Sequence, residues 1–101
     1  MSVAATLAEA RKLIAQGWTQ GKNKRVVNGV ECYCISGAIH QAAPYDEPKG
    51  LEFAALFLSL RADDFYLSSS TNLTEWNDTP GRTQEDVLAL IDRAIAKEAK
   101  A

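Results

Sequence analysis

The sequence predicts a single α+β domain that is mainly helical, with about four helices and a small β-hairpin near residues 26–34. Three observations carry this. Apolar residues recur at helical spacing in four separate stretches, and an Asn28-Gly29 pair sits between β-branched runs. A chain of 101 residues, 47% hydrophobic and 24% charged, suits one ordinary core and is too short for two.

The first helix is expected over residues 3–16. Val3, Leu7, Ala10, Leu13 and Ile14 fall on one stripe, and Glu9, Arg11, Lys12 and Gln16 take the other side. Ser2 suits its N-cap and Gly17 a left-handed C-cap. Residues 18–25 are polar, with three basic side chains, and read as an exposed loop. Asn28-Gly29 after Val26-Val27 and before Val30 is a strong hairpin signal, because both residues accept the positive φ of a type I′ turn. From Cys34 the period changes, and Ile35, Ala38, Ile39 and Ala42 keep helical spacing until Pro44 stops it.

Residues 44–50 carry turn chemistry in Pro44, Asp46, Pro48 and Gly50. Residues 51–62 then read as a third helix, apolar on nearly all sides, and such a helix belongs at the centre of a fold. Residues 63–74 stay open between a short strand at Phe65-Tyr66-Leu67 and a turn through 68–72. The last helix starts after Thr83 as N-cap, with Glu85 and Asp86 in its first turn, where carboxylates suit the helix dipole. Val87, Leu88, Leu90, Ile91, Ala94 and Ile95 form its buried stripe, and Lys97 and Lys100 supply the cations its C-terminal end favours.

Eleven basic and thirteen acidic residues give a formal net charge of −2, which argues against a protein built mainly to grip nucleic acid. No stretch approaches the roughly 18 apolar residues of a membrane span. The N-terminus lacks the basic start and apolar block of a signal peptide. A cytoplasmic protein with no membrane partner is the expectation. Cys32 and Cys34 stand too close in sequence for a good disulfide, so both read as reduced thiols.

Cys32, Cys34 and His40 are zinc-ligand types, yet a structural site commonly needs four ligands and the chain has no further cysteine or histidine. Cys34 reads instead as a small buried hydrophobe at the start of the second helix. Six residues separate it from His40, too far along one helix for a nucleophile and base to meet. Phosphate-cradling glycine loops, a paired-carboxylate signature and a Ser-His-Asp set find no match. The expectation is a protein without metal, cofactor or enzymatic activity.

Two polar segments remain. Lys22, Lys24 and Arg25, near Trp18 and Gln20, have the charge and stacking chemistry of a phosphate or single-stranded base site, or of a plain solvated loop. Trp76-Asn77-Asp78 with Pro80-Gly81-Arg82 fits a Trp folded over the core beside turn-forming amide and carboxylate groups, a reading preferred over a recognition surface of Trp and Arg hot spots.

Four blocks carry a resemblance: 17–21 (Gly-Trp-Thr-Gln-Gly), 34–39 (Cys-Ile-Ser-Gly-Ala-Ile), 76–78 (Trp-Asn-Asp) and 81–94, which opens Gly-Arg-Thr-Gln-Glu-Asp-Val. Together they resemble a domain-of-unknown-function family of small proteins from bacteria and their phages. The resemblance implies a type of gene rather than a reaction. Trp18, Gln20, Trp76, Asn77, Asp78 and Arg82 match its pattern; because the loop after the first helix and the loop before the last can lie at one end of a helical packing, these residues are expected to converge on one surface. The function expected is a non-enzymatic interaction protein, a phage or mobile-element accessory that binds and modulates a host protein through those residues with Lys24 and Arg25. The alternative is a small-ligand or nucleotide-binding module on the loops around Trp18 and Arg82. A third helix too apolar for its neighbours to cover adds an expectation of self-association.

Overall fold

Capping and period set the elements of the computed structural model, which describes residues 2–60 and 73–100. Helix α1 spans Val3–Gln16, with Ser2 Oγ accepting from Ala5 N at 3.1 Å as its N-cap. Strands β1 (Lys24–Val27) and β2 (Val30–Tyr33) pair antiparallel, Val27 opposite Val30 and Lys24 opposite Tyr33. Asn28 at φ 51° and Gly29 at φ 79° make the tight turn between them, the left-handed pair a two-residue hairpin requires. Then follow α2 (Ile35–Ala42), α3 (Gly50–Leu58), α4 (Leu73–Asp78) and α5 (Gln84–Lys100). The protein is α+β and mainly helical.

The core lies where α1 packs between α2 and α5. Leu7, Ala10 and Ile14 of α1, Ile35, Ala38 and Ile39 of α2, and Val87, Leu90, Ile91 and Ala94 of α5 are all fully buried. Each set follows the helical stripe of its own segment. Thr83 closes a capping box on α5: its Oγ1 accepts from Asp86 N at 3.2 Å while Asp86 Oδ2 accepts from Thr83 N at 3.0 Å. Gln84 Nε2 donates to Ile14 O at 2.7 Å, satisfying a carbonyl at the end of α1 that no helical N–H reaches. No helix among the described residues is long and apolar enough to cross a membrane.

Four expectations need correction. The described residues hold five helices where about four were expected: the added one, α4, joins Leu73 and Thr74 of the undecided stretch to Trp76, Asn77 and Asp78 of the polar segment, and at six residues it is too short to show a period. The third helix is shorter than 51–62 and peripheral. It buries Ala55 and Leu56 and leaves Leu51 at 71% and Leu58 at 76% exposure. High mean hydropathy shows that a helix tolerates burial, but the neighbours decide which side receives it, and α1 already occupies the centre. Gly17 is extended, not left-handed, at φ −174°. A Cβ there would stand 2.7 Å from Cys32 Sγ, so packing rather than dihedral preference demands the glycine. The expected loop 18–25 is not free at either end: Thr19 N donates to Tyr33 O at 3.1 Å, beside the bond from Tyr33 N to Gly17 O at 3.0 Å, and Lys24 and Arg25 belong to β1. The undecided stretch 63–74 falls outside the described residues except for Leu73 and Thr74, which open α4.

Cations of α5 hold α3 in its peripheral place. Lys97 Nζ donates to Leu58 O at 2.6 Å and Arg93 Nε to Ser59 O at 3.0 Å, charges set against the negative end of the α3 dipole. Arg11 pairs with Asp92 at 2.6 Å across α1 and α5; being solvent-exposed, that pair adds little.

This arrangement separates two neighbours on one helix. Leu56→Ala should cost about 2–5 kcal/mol through lost burial and a cavity, and Leu58→Ala less than about 0.5 kcal/mol, read from urea midpoints. Equal losses would mean that α3 is buried all round.

Candidate functional site

The residues singled out in the sequence meet where the segment after α1 reaches α4. Helix α4 projects Trp76 and Asn77 inward, at 1% and 0% exposure. The Asn77 amide is the hub. Its Oδ1 accepts from Trp18 Nε1 at 2.8 Å and from Ile35 N at 3.1 Å, and its Nδ2 donates to Thr19 O at 3.1 Å and Asp78 Oδ1 at 3.0 Å. Two acceptor and two donor positions are all an asparagine amide has, and all are filled. Ile35 N belongs to the first turn of α2, whose N–H groups have no helical partner. Asn77 thus caps α2 from another element.

Further bonds tighten the clasp. Gln20 Nε2 donates to Asn77 O at 2.9 Å and Thr79 O at 3.1 Å, taking carbonyls at the end of α4. Asp78 Oδ1 also accepts from Gly21 N at 3.0 Å. Arg82 donates from Nε to Trp76 O at 2.9 Å and lays its guanidinium 4.2 Å from the Trp76 ring centre, a cation–π contact sheltered from water. Trp76 Nε1 is buried with no hydrogen-bond partner among the described residues.

Cys34 completes the capping of α2. Its Sγ accepts from Gly37 N at 3.4 Å and faces Asn23 Oδ1 at 3.4 Å. Burial pushes this thiol pKa above its ordinary value, backbone N–H groups opposing the shift, so at neutral pH it is a protonated cap rather than a nucleophile. Gly37 lets the chain at Asn23 lie directly on the helix: a Cβ would stand 2.0 Å from Asn23 O. These contacts give physical reasons for the spacing of the Cys34 to Ile39 block.

Lys24 and Arg25 do not join the clasp. They lie exposed on β1, where Lys24 Nζ meets Glu31 Oε1 at 3.1 Å and sits 5.9 Å over the Tyr33 ring. Hydrogen bonds from Tyr33 and then Lys24 hold the Glu31 carboxyl below its ordinary pKa, and the same contacts raise Lys24 and Tyr33. So six of the eight candidate residues converge, and two stand apart on the hairpin. Trp76 and Asn77 reach no solvent, which makes the point of convergence an internal junction. Cys32 and Cys34 are free and buried, and no group of three or more metal-ligating side chains occurs among the described residues.

An open depression of about 500 Å³, lined by His40, Tyr45, Glu47 and Lys49, has no signal in the sequence pattern. Lys49 is buried there, its Nζ donating to Pro44 O at 2.9 Å and Glu47 O at 2.8 Å. It braces the 44–49 turn. His40, exposed at the end of α2, packs its ring 5.6 Å from that of Phe53.

Residues 1–97 match DUF6197, a family of unknown function, and the chain belongs to that family. No curated protein and no solved structure matches it.

Removing the hub tests the clasp. Asn77→Ala leaves Trp18 Nε1, Ile35 N and Thr19 O buried without their partner and should cost about 3–4 kcal/mol, a large share of a typical 5–15 kcal/mol. Asn77→Asp should fare little better, because it turns an oxygen toward Thr19 O and Asp78 Oδ1, which are both acceptors. Urea unfolding reads both; a loss under about 1 kcal/mol for either would contradict the assignment.

Proposed function

We propose that this member of DUF6197 is a non-enzymatic interaction protein that binds and modulates a partner protein, with the β1–β2 hairpin as its contact arm. One observation carries the reading. Val26, Val27 and Val30 stand 60%, 46% and 45% exposed on the arm, while Trp18, Gln20, Asn77 and Asp78 are bound to one another and to backbone. Exposed apolar side chains gathered on one element mark interaction sites, and a body fastened by the Asn77 clasp supplies a rigid base for them.

The setting proposed is that of an accessory protein of a phage or mobile element acting on a host protein inside the cell. The small size of the chain and the resemblance drawn from its sequence support it. A small-ligand module around Trp18 and Arg82 has less support, because the polar atoms such a ligand would need already hold Asn77, Thr79 and Trp76. Self-association is favoured by a separate observation, the uncovered Leu51 and Leu58 of α3.

Paired capture experiments test the arm. The wild-type chain should recover a host protein that the double variant Val26→Thr, Val30→Thr does not, although the two unfold within about 0.5 kcal/mol of each other. Equal recovery by both proteins, or no partner above background for either, would contradict the proposal.

A further inference from the structure

We infer that the outer edge of β1 takes an extended acidic and apolar segment of the partner as an added antiparallel strand. This rests on the reading of the hairpin as contact arm and names the chemistry that would dock there.

The hydrogen-bond phase of the hairpin is fixed by its neighbours. Cys34 N donates to Asn23 O at 3.2 Å, continuing the β1–β2 ladder. With the register of the strands, this makes Asn23, Arg25 and Val27 the positions bonded inward. Tyr33, opposite Lys24, turns its N–H and C=O away from β1 toward Gly17 and Thr19. Lys24 and Val26 therefore direct their own N–H and C=O to the open side. All four residues of β1 are exposed, and the only sheet among the described residues is this two-stranded one. The far side of β2 is by contrast partly closed by the bridge between Trp18 and Tyr33.

Charge selects the occupant. Lys22, Lys24 and Arg25 fall within four residues in a chain whose net charge is −2; Lys24 is paired with Glu31 on β2, so the charge offered to a partner comes from Lys22 and Arg25. Edge lysines commonly discourage strand pairing. Here they discourage a second copy of the same edge, which would set like charges close together, and admit a strand of opposite sign. Val26 shares a face with Lys24, and Val27 with Arg25, by strand alternation. The incoming strand is matched when an acidic side chain lies across from Arg25 and apolar ones lie across from Val26 and Val27. Main-chain bonds then supply affinity and the alternate side chains specificity.

The test uses the full chain and a labelled eight-residue peptide with a Val-Val-Glu-Glu core, followed by fluorescence anisotropy. Saturable binding should weaken as salt rises and be absent for a Val-Val-Lys-Lys peptide. Val26→Pro removes an outward N–H without touching the β1–β2 ladder and should weaken binding about tenfold or more. Arg25→Glu, which leaves the backbone intact, should do the same and decides the matter if the proline variant does not fold. Equal binding of the lysine peptide, indifference to Arg25→Glu, or preference for a short oligothymidylate would overturn the inference. Loss of the captured host protein in the valine double variant but not in Arg25→Glu would overturn it while leaving the contact arm standing; no loss in either would remove both.

Discussion

One buried amide ties together parts of the chain far apart in sequence. Asn77 on α4 meets the Trp18 indole and the Thr19 carbonyl after α1, and the first amide of α2, over separations of 42 to 59 residues. Helices α1 and α2 are joined through the hairpin, and an apolar interface between them fixes direction poorly. The amide supplies what burial lacks, since each of its four bonds has an angle and a length. Buried polar groups tolerate few alternatives, because an unpaired one costs about 1–3 kcal/mol. The clasp therefore ties α4 to the segment after α1 and to the first turn of α2 in one geometry.

The base of the hairpin is held by the same junction. Tyr33 bonds to Gly17 and Thr19, Thr19 bonds to Asn77, and Cys34 bonds to Asn23 and Gly37. On β2 the base, Cys32 and Tyr33, is buried, while the tip and all of β1 are exposed. A two-stranded hairpin alone is marginal in water, but this one grows from a fixed root. That division between rooted base and uncovered tip connects the packing of the protein with its proposed use as a binding arm.

Local chemistry made much of the fold legible. Ser2 and Thr83 as caps, the Asn28-Gly29 turn and the stripes of α1, α2 and α5 depend on neighbours within a few residues, and the structure has each where the sequence placed it. What the sequence could not show depends on distant partners. Helix α4 has six residues and takes its stability from Trp76 and Asn77 being buried against other elements. The side that α3 turns inward depends on its neighbours, and Arg93 and Lys97 of α5 hold its C-terminal end. The candidate residues were mostly recognisable as a group by their types, because Trp, Asn, Asp and Arg in polar segments need a reason. Whether that reason faced solvent or the interior was settled by three-dimensional proximity alone, and for Trp76 and Asn77 it is the interior.

Hydrogen exchange at one amide tests the clasp most directly. Ile35 N–H lies in the first turn of α2, a position that in an ordinary helix has no hydrogen-bond partner and exchanges quickly. With Asn77 Oδ1 accepting from it at 3.1 Å in a buried setting, its exchange should match that of core amides such as Leu90, with an opening free energy near that of global unfolding. Exchange at the rate of an uncapped helix end, while Leu90 stays protected, would contradict the claim that Asn77 holds the protein together.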